Sequence, residues 1–211
     1  TFAGKSLTVC GDGVSSGGQN GSVGILTTGT VTFPDLRLQG GQLRLSTTGA
    51  LKVSGRICLV AGYESGISKG ANETDARALE FTSNSVLCGG GTLAVYALLN
   101  ANQVLTFSGD DAAFCGAALF THRTPVVFNG EDSWFGDCAS FDQKGFEMRQ
   151  GGTIAFNESV SRLAPNRGFT FGGATTITIA DGKSVRWSGP IVAAAAVSMT
   201  GGGVIRIATE D

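Results

Sequence analysis

Charge is scarce in this chain and carries no strong sign. Lys, Arg, Asp and Glu make up only 15% of its 211 residues, for a formal net charge of −2. Nucleic-acid binding calls for clustered Lys and Arg, and docking on anionic lipid calls for a polybasic face; neither is present. Histidine occurs once, at His122, and proline four times. No run of about 18 apolar residues exists to cross a bilayer as a helix. The longest small apolar run, Ile191 to Val197, is short and mostly alanine. The opening Thr1-Phe2-Ala3-Gly4-Lys5 is already in the style of strand and turn and is read not as a secretory leader but as the start expected of a mature or excised segment.

What is abundant is glycine. There are 33 glycines, about twice the number expected at an average usage of roughly 7%. Without a Gly-X-Y period and with so little proline, collagen is excluded. Aliphatic and β-branched residues are too plentiful for simple disorder, and a hydrophobic fraction of 42% supplies a core. Glycine at this density points to many tight turns that need positive φ.

Between the turns runs a short period-two pattern. Apolar residues flank a middle residue in Leu7-Thr8-Val9, Val31-Thr32-Phe33, Leu36-Arg37-Leu38, Leu43-Arg44-Leu45 and Leu51-Lys52-Val53. The pattern returns in Leu93-Ala94-Val95, Leu105-Thr106-Phe107, Val126-Val127-Phe128, Ile154-Ala155-Phe156 and Phe169-Thr170-Phe171. It closes with Ile177-Thr178-Ile179, Val185-Arg186-Trp187, Val197-Ser198-Met199 and Ile205-Arg206-Ile207. Each triplet sends two side chains inward and one outward. Such strands are short for a sandwich but suit one side of a coil that stacks on its neighbours. The fold class expected is therefore all-β: a right-handed single-stranded parallel β-helix, or β-solenoid, with Gly-rich turns. It forms one segment over residues 1–211, with about 20 to 25 residues per coil and roughly nine or ten coils. Two stretches break the rhythm, residues 61–77 and 137–150, and are read as protruding loops with room for a ligand.

Five cysteines, Cys10, Cys58, Cys88, Cys115 and Cys138, leave at least one unpaired within the chain. Cys88, Cys115 and Cys138 recur at spacings of 27 and 23, near one coil, so they can stack on one face. Buried free thiols are expected there in preference to an inter-coil disulfide. No C-x-x-C or His-containing cluster suggests a metal, and no cofactor is expected.

Several phrases resemble the autotransporter-associated β-strand repeat of large bacterial surface proteins. Gly91-Thr92-Leu93-Ala94-Val95 matches its first strand, and Val104-Leu105-Thr106-Phe107-Ser108-Gly109-Asp110-Asp111 its second. Gln150-Gly151-Gly152-Thr153-Ile154-Ala155-Phe156 and Thr176-Ile177-Thr178-Ile179-Ala180-Asp181-Gly182-Lys183 follow the same style. Gly201-Gly202-Gly203-Val204-Ile205-Arg206-Ile207 resembles a fresh copy of the element at Gly89 to Val95. The resemblance covers residues 86 to 211. It departs from the family in its five cysteines and in Leu119 to Arg123 and Ala193 to Ala196, which look like insertions. It implies a secreted or cell-surface β-solenoid that is a fragment of a longer array. Its partners would be further copies or coils of the same solenoid, or host and surface glycans or proteins.

No residue set reads as an active site, and the chain is not expected to be an enzyme. His122 lacks a positioned acid and nucleophile and reads as a solvated loop residue. Asp110-Asp111, Glu131-Asp132 and Asp137 are spaced to align on neighbouring coils, as in carbohydrate-active β-helices, yet their Gly-flanked settings favour a turn role. Trp134 and Trp187 are read as half-buried core rather than sugar platforms. Sequons at Asn20, Asn72 and Asn157 matter only in a eukaryotic secretory host. The function expected is structural: a stalk, fibre or adhesin passenger. The alternatives are a carbohydrate-active β-helix with an acidic groove over Asp110, Glu131 and Asp137, or a glycan-binding adhesin acting through residues 61–77.

Overall fold

The computed structural model describes residues 6–11, 21–25, 29–45, 50–69, 78–96, 104–131, 135–136, 142–163 and 167–207. These residues are all-β, with no helix among them, and every named strand pairs in parallel. The first sheet holds nine strands, stacked in the order β1 (Ser6–Cys10), β3 (Gly29–Gln39), β5 (Leu51–Leu59), β7 (Leu79–Gly89), β9 (Leu105–Phe107), β11 (Val126–Phe128), β13 (Gly152–Phe156), β16 (Thr175–Ile179) and β19 (Val197–Thr200). The second holds eight: β2 (Ser22–Ile25), β4 (Gln42–Leu45), β6 (Glu64–Lys69), β8 (Thr92–Tyr96), β10 (Ala118–Phe120), β12 (Asp142–Met148), β15 (Arg167–Phe171) and β18 (Ile191–Ala193). A third, smaller sheet stacks β14 (Val160–Leu163), β17 (Ser184–Trp187) and β20 (Val204–Ile207).

The chain alternates between the first two sheets from β1 to β13 and from β14 onward visits all three in rotation, adding one strand per visit. Parallel neighbours cannot be joined by a tight hairpin, so this alternation follows from the pairing. It is compatible with a parallel β-helix or solenoid. In the first sheet, Leu51 pairs with Leu79, Leu79 with Leu105, Leu105 with Val126, Val126 with Ile154, and Ile154 with Ile177. These steps span 28, 26, 21, 28 and 23 residues, so three exceed the expected coil length. The surplus lies between strands, where it leaves the register of the core untouched.

Every triplet anticipated above lies in a strand. In parallel, in-register pairing, a residue type repeated at one position becomes a continuous column. Val53, Phe81, Phe107, Phe128, Phe156 and Ile179 form one such column. Its phenylalanines stack face to face, with ring centroids 5.2 Å apart for Phe81–Phe107, 5.7 Å for Phe107–Phe128 and 5.2 Å for Phe128–Phe156. The second sheet answers with Leu43, Ile67, Val95, Phe120, Met148 and Phe171. Phe135 packs edge-on against Phe107, Phe114 and Phe128. All belong to one interior cluster running from Val9 to Trp187. Trp187 is fully buried, not half-buried as its sequence context suggested.

Strands β3, β5 and β7 are long because each holds two paired arms. Their register slips between Phe33 and Asp35 and between Val53 and Gly55. Gly55 makes this bend possible: its φ is +88°, and an added Cβ would sit 1.9 Å from the Phe33 carbonyl oxygen. Only glycine tolerates both conditions. The second arm aligns Leu7, Leu36, Ile57 and Leu87 in an inward column.

Two expected loops contain strands instead. Within residues 61–77, Glu64–Lys69 is β6, paired with β4 and β8; residues 70–77 lie outside the described set. Within residues 137–150, Asp142–Met148 is β12, paired with β10 and β15. The apparent insertion at Leu119 to Arg123 likewise begins inside β10. In each case the neighbouring strands supply the pattern that the segment itself shows weakly.

Candidate functional site

Of the acids that motivated a carbohydrate-active reading, Asp110, Asp111 and Glu131 lie among the described residues. Asp110 and Glu131 are exposed and stand three residues beyond the ends of β9 and β11. The Asp110 carboxylate accepts a hydrogen bond from the Ala112 N–H at 3.0 Å, an Asx turn that fixes the local chain direction. Asp132 and Asp137 lie outside the described residues. Among the described residues, no group of three or more His, Cys, Asp and Glu side chains is placed to hold a metal.

Asp111 turns the other way. Asp110 bridges Val86 of β7, so the next residue falls beside Leu87 and prolongs the inward column of Leu36, Ile57 and Leu87. Val86 and Asp110 face solvent while Leu87 and Asp111 are buried. Asp111 has no exposed surface, and neither carboxylate oxygen has a hydrogen-bond partner. The Leu87 N–H faces this carboxylate, but it donates to the Asp110 carbonyl oxygen at 3.0 Å. Burial, reinforced by the adjacent Asp110 charge, pushes the Asp111 carboxyl well above its ordinary 3.8.

The second buried ionisable group is Arg167, which opens β15. It donates to the carbonyls of Gly116 (2.6 Å), Gly145 (2.8 Å), Phe114 (3.1 Å) and Gly136 (3.1 and 3.3 Å). Its guanidinium also lies 5.5 Å from the Phe114 ring centre and 5.7 Å from that of Phe135. The N–H groups of Phe114 and Gly136 in turn donate to the main-chain oxygen of Asp111. A planar fork of five donors suits this task, because it reaches carbonyls from several consecutive layers at once. Nothing in the composition singled out Arg167, and only the register reveals that Asp111 faces inward.

On the outside, side chains form ladders along the stack. Asn157 donates to Asn129 at 3.0 Å, Asn129 to Ser108 at 3.4 Å, and Ser108 to Glu80 at 3.2 Å; Glu80 then pairs with Lys52 at 3.1 Å. Asn157, one of the three sequon asparagines, is thus engaged in this ladder; Asn20 and Asn72 are not described. Hydroxyl pairs join Thr176 to Ser198 and Thr178 to Thr200. On the second sheet Tyr96 folds over Gly66 to donate to Glu64, whose carboxyl is raised by burial, with Arg149 acting in the opposite direction. His122 is half-buried and shares a hydrogen bond of 2.9 Å between its Nδ1 and the Thr121 hydroxyl.

The cysteines correct an expectation. Cys58 and Cys88 are directly opposite one another on β5 and β7, with Cα atoms 4.6 Å apart, and are joined by a disulfide. Adjacent parallel strands bring equivalent residues within disulfide reach, and the spacing argument had matched Cys88 to the wrong partners. Cys10 and Cys115 are exposed, and Cys138 is not described. Compared with family models, with curated proteins and with solved structures, the chain matches none.

Proposed function

We propose that the chain is a right-handed single-stranded parallel β-helix acting as a non-catalytic structural segment of a secreted or cell-surface protein. One observation carries this reading: a single apolar interior runs through successive layers from Val9 to Trp187. Outside it, the most regular side chains bond to their equivalents in the next layer. Residues so engaged serve length and stiffness. The strong preference of parallel crossover connections supports the right hand, and the return of the chain to each sheet in turn supports closure into a helix. The resemblance to the autotransporter-associated β-strand repeat supports a surface location, and the cross-strand disulfide suits an oxidising compartment.

Two measurements test this. A high-resolution experimental map should show a closed right-handed coil; an open sandwich or a left-handed winding would overturn the fold. Incubation with a panel of polysaccharides, read by new reducing ends and by unsaturated products, should leave every polymer intact. Sustained cleavage abolished by Asp110→Asn or Glu131→Gln would replace the structural reading with the carbohydrate-active one.

A further inference from the structure

The outer face of the second sheet carries side chains that the ladders of the first sheet do not explain. Beside the inward column of Leu43, Ile67 and Val95, pairing of β4, β6 and β8 lines up Arg44, Ser68 and Tyr96 in one outward column. A second outward column holds Gln42, Gly66 and Ala94. Gly66 leaves a gap there, and the Tyr96 ring lies down over it. A Cβ at Gly66 would come within 2.8 Å and 3.0 Å of ring carbons Cε2 and Cδ2, and within 3.1 Å of Gln42 Cγ. Donation from the Tyr96 hydroxyl to Glu64 holds the ring in this pose. One side of the ring is thus pressed on the sheet, and Tyr96, still half-exposed, turns the other to solvent.

The groups around the ring decide what can sit on it. Ser68 donates to Gln42 Oε1 at 3.3 Å, and the Gln42 amide N–H groups have no acceptor among the described residues. Glu147 is paired with Arg149 at 3.5 Å, and the Glu64 carboxyl already accepts from Tyr96. Arg44 is half-buried, and its guanidinium has neither a carboxylate nor a carbonyl to hold among the described residues. It stands two layers from Tyr96 in the same column, about 10 Å away at the usual strand spacing. A flat ring, free amide donors and an unpaired fork of donors are together the complement of an acidic sugar. The apolar face of a pyranose stacks on an aromatic ring, its hydroxyls accept from an amide, and a carboxylate or sulfate takes a guanidinium in bidentate fashion. We propose that this face binds an acidic oligosaccharide, with one sugar stacked on Tyr96 and the anionic group of its neighbour held by Arg44. Two linked pyranose rings cover that span, so the glycan runs along the stack. This adds a ligand to the structural segment described above, and that reading stands without it.

The test uses the full 211-residue chain with its disulfide intact. Isothermal titration calorimetry compares a short oligogalacturonate, a sulfated galactan oligosaccharide and the carboxyl-reduced oligogalacturonate. At least one acidic probe should bind saturably and more weakly as salt is added, and which one binds identifies the anionic group as carboxylate or sulfate. The reduced oligomer should bind at least about tenfold more weakly. Arg44→Gln alters a side chain without partners, so it should weaken binding at least about tenfold and leave the urea unfolding transition unchanged. Tyr96→Leu should weaken binding about tenfold, and Tyr96→Phe, which keeps the ring, by less. Arg186→Gln, on the exposed side of the third sheet, should have no effect. Failure of both acidic probes to bind, equal binding of the reduced oligomer, or undiminished binding by Arg44→Gln would each overturn the site. An equal loss with Arg186→Gln would reduce the effect to general charge attraction and overturn it as well. None of these outcomes bears on the structural reading, which the experimental map and the polysaccharide assay decide separately.

Discussion

Replacing Asp111 by asparagine should stabilise the protein at neutral pH and flatten its dependence on pH. The carboxyl occupies an inward column otherwise built from Leu36, Ile57 and Leu87, and both its oxygens lack partners. Leaving a buried polar group unsatisfied costs about 1–3 kcal/mol, and more when it is charged. Its folded pKa is raised well above 3.8, so between those two values the folded state holds a proton that the unfolded state has released. Folding is then favoured most below the unfolded value. Its stability falls as pH rises towards the folded value, by at most about 1.4 kcal/mol per pH unit for one proton. Asparagine keeps the shape and removes the ionisation. Urea denaturation followed by the fluorescence of the fully buried Trp187, at intervals from pH 4 to pH 8, gives the comparison. Asp111→Asn should match the parent in acid and exceed it progressively towards pH 8, by at most about 1.4 kcal/mol for each pH unit between the unfolded and folded values. Glu64 titrates in both proteins and cancels from the difference. A parent whose stability, measured against Asp111→Asn, is flat or rises over that range would refute the burial argument.

Three further outcomes are expected. Breaking the Cys58–Cys88 link by a double serine substitution should cost about 3–4 kcal/mol, since it closes a loop of 30 residues; non-reducing peptide mapping checks the pairing. Arg167→Met preserves bulk but strips four buried carbonyls of their donor, which should cost about 3–5 kcal/mol in urea melts. Arg167→Lys should rescue little, because one ammonium cannot span the same acceptors. Phe128→Ala removes a ring held between Phe107, Phe135 and Phe156 and should lose about 3–5 kcal/mol, whereas Phe128→Leu should lose considerably less.

The strands proved readable wherever the chain writes its own alternation. Leu105-Thr106-Phe107 and Ile177-Thr178-Ile179 announce their inward and outward faces without help from neighbours. Strand β6 does not: Glu64-Ser65-Gly66-Ile67-Ser68-Lys69 has one aliphatic residue, and its extended form is imposed by β4 and β8 on either side. This is the sense in which strand propensity depends on context. Phe146-Glu147-Met148 carried the same apolar-flanked triplet as its neighbours, but mixed charge around it disguised it as a loop. The candidate site was less legible still. Asp110-Asp111 follows a glycine, which favours a turn, and Asp110 does make one; that its neighbour enters the core is decided by pairing to Val86, twenty-four positions earlier. Cys58 and Cys88 were misread for the related reason that layer length varies along the chain, so a constant spacing does not pick out facing residues.

The disulfide between β5 and β7 also has a mechanical meaning. A stack of parallel layers pulled from its ends pays out chain as each layer detaches. Cys58 and Cys88, 30 residues apart, hold the chain between them as a closed ring that tension cannot open. At about 3.4 Å per extended residue, this withholds about 100 Å of contour length. Reduction of one bond would release that slack, so the extensibility of the segment under load is set by the redox state around it.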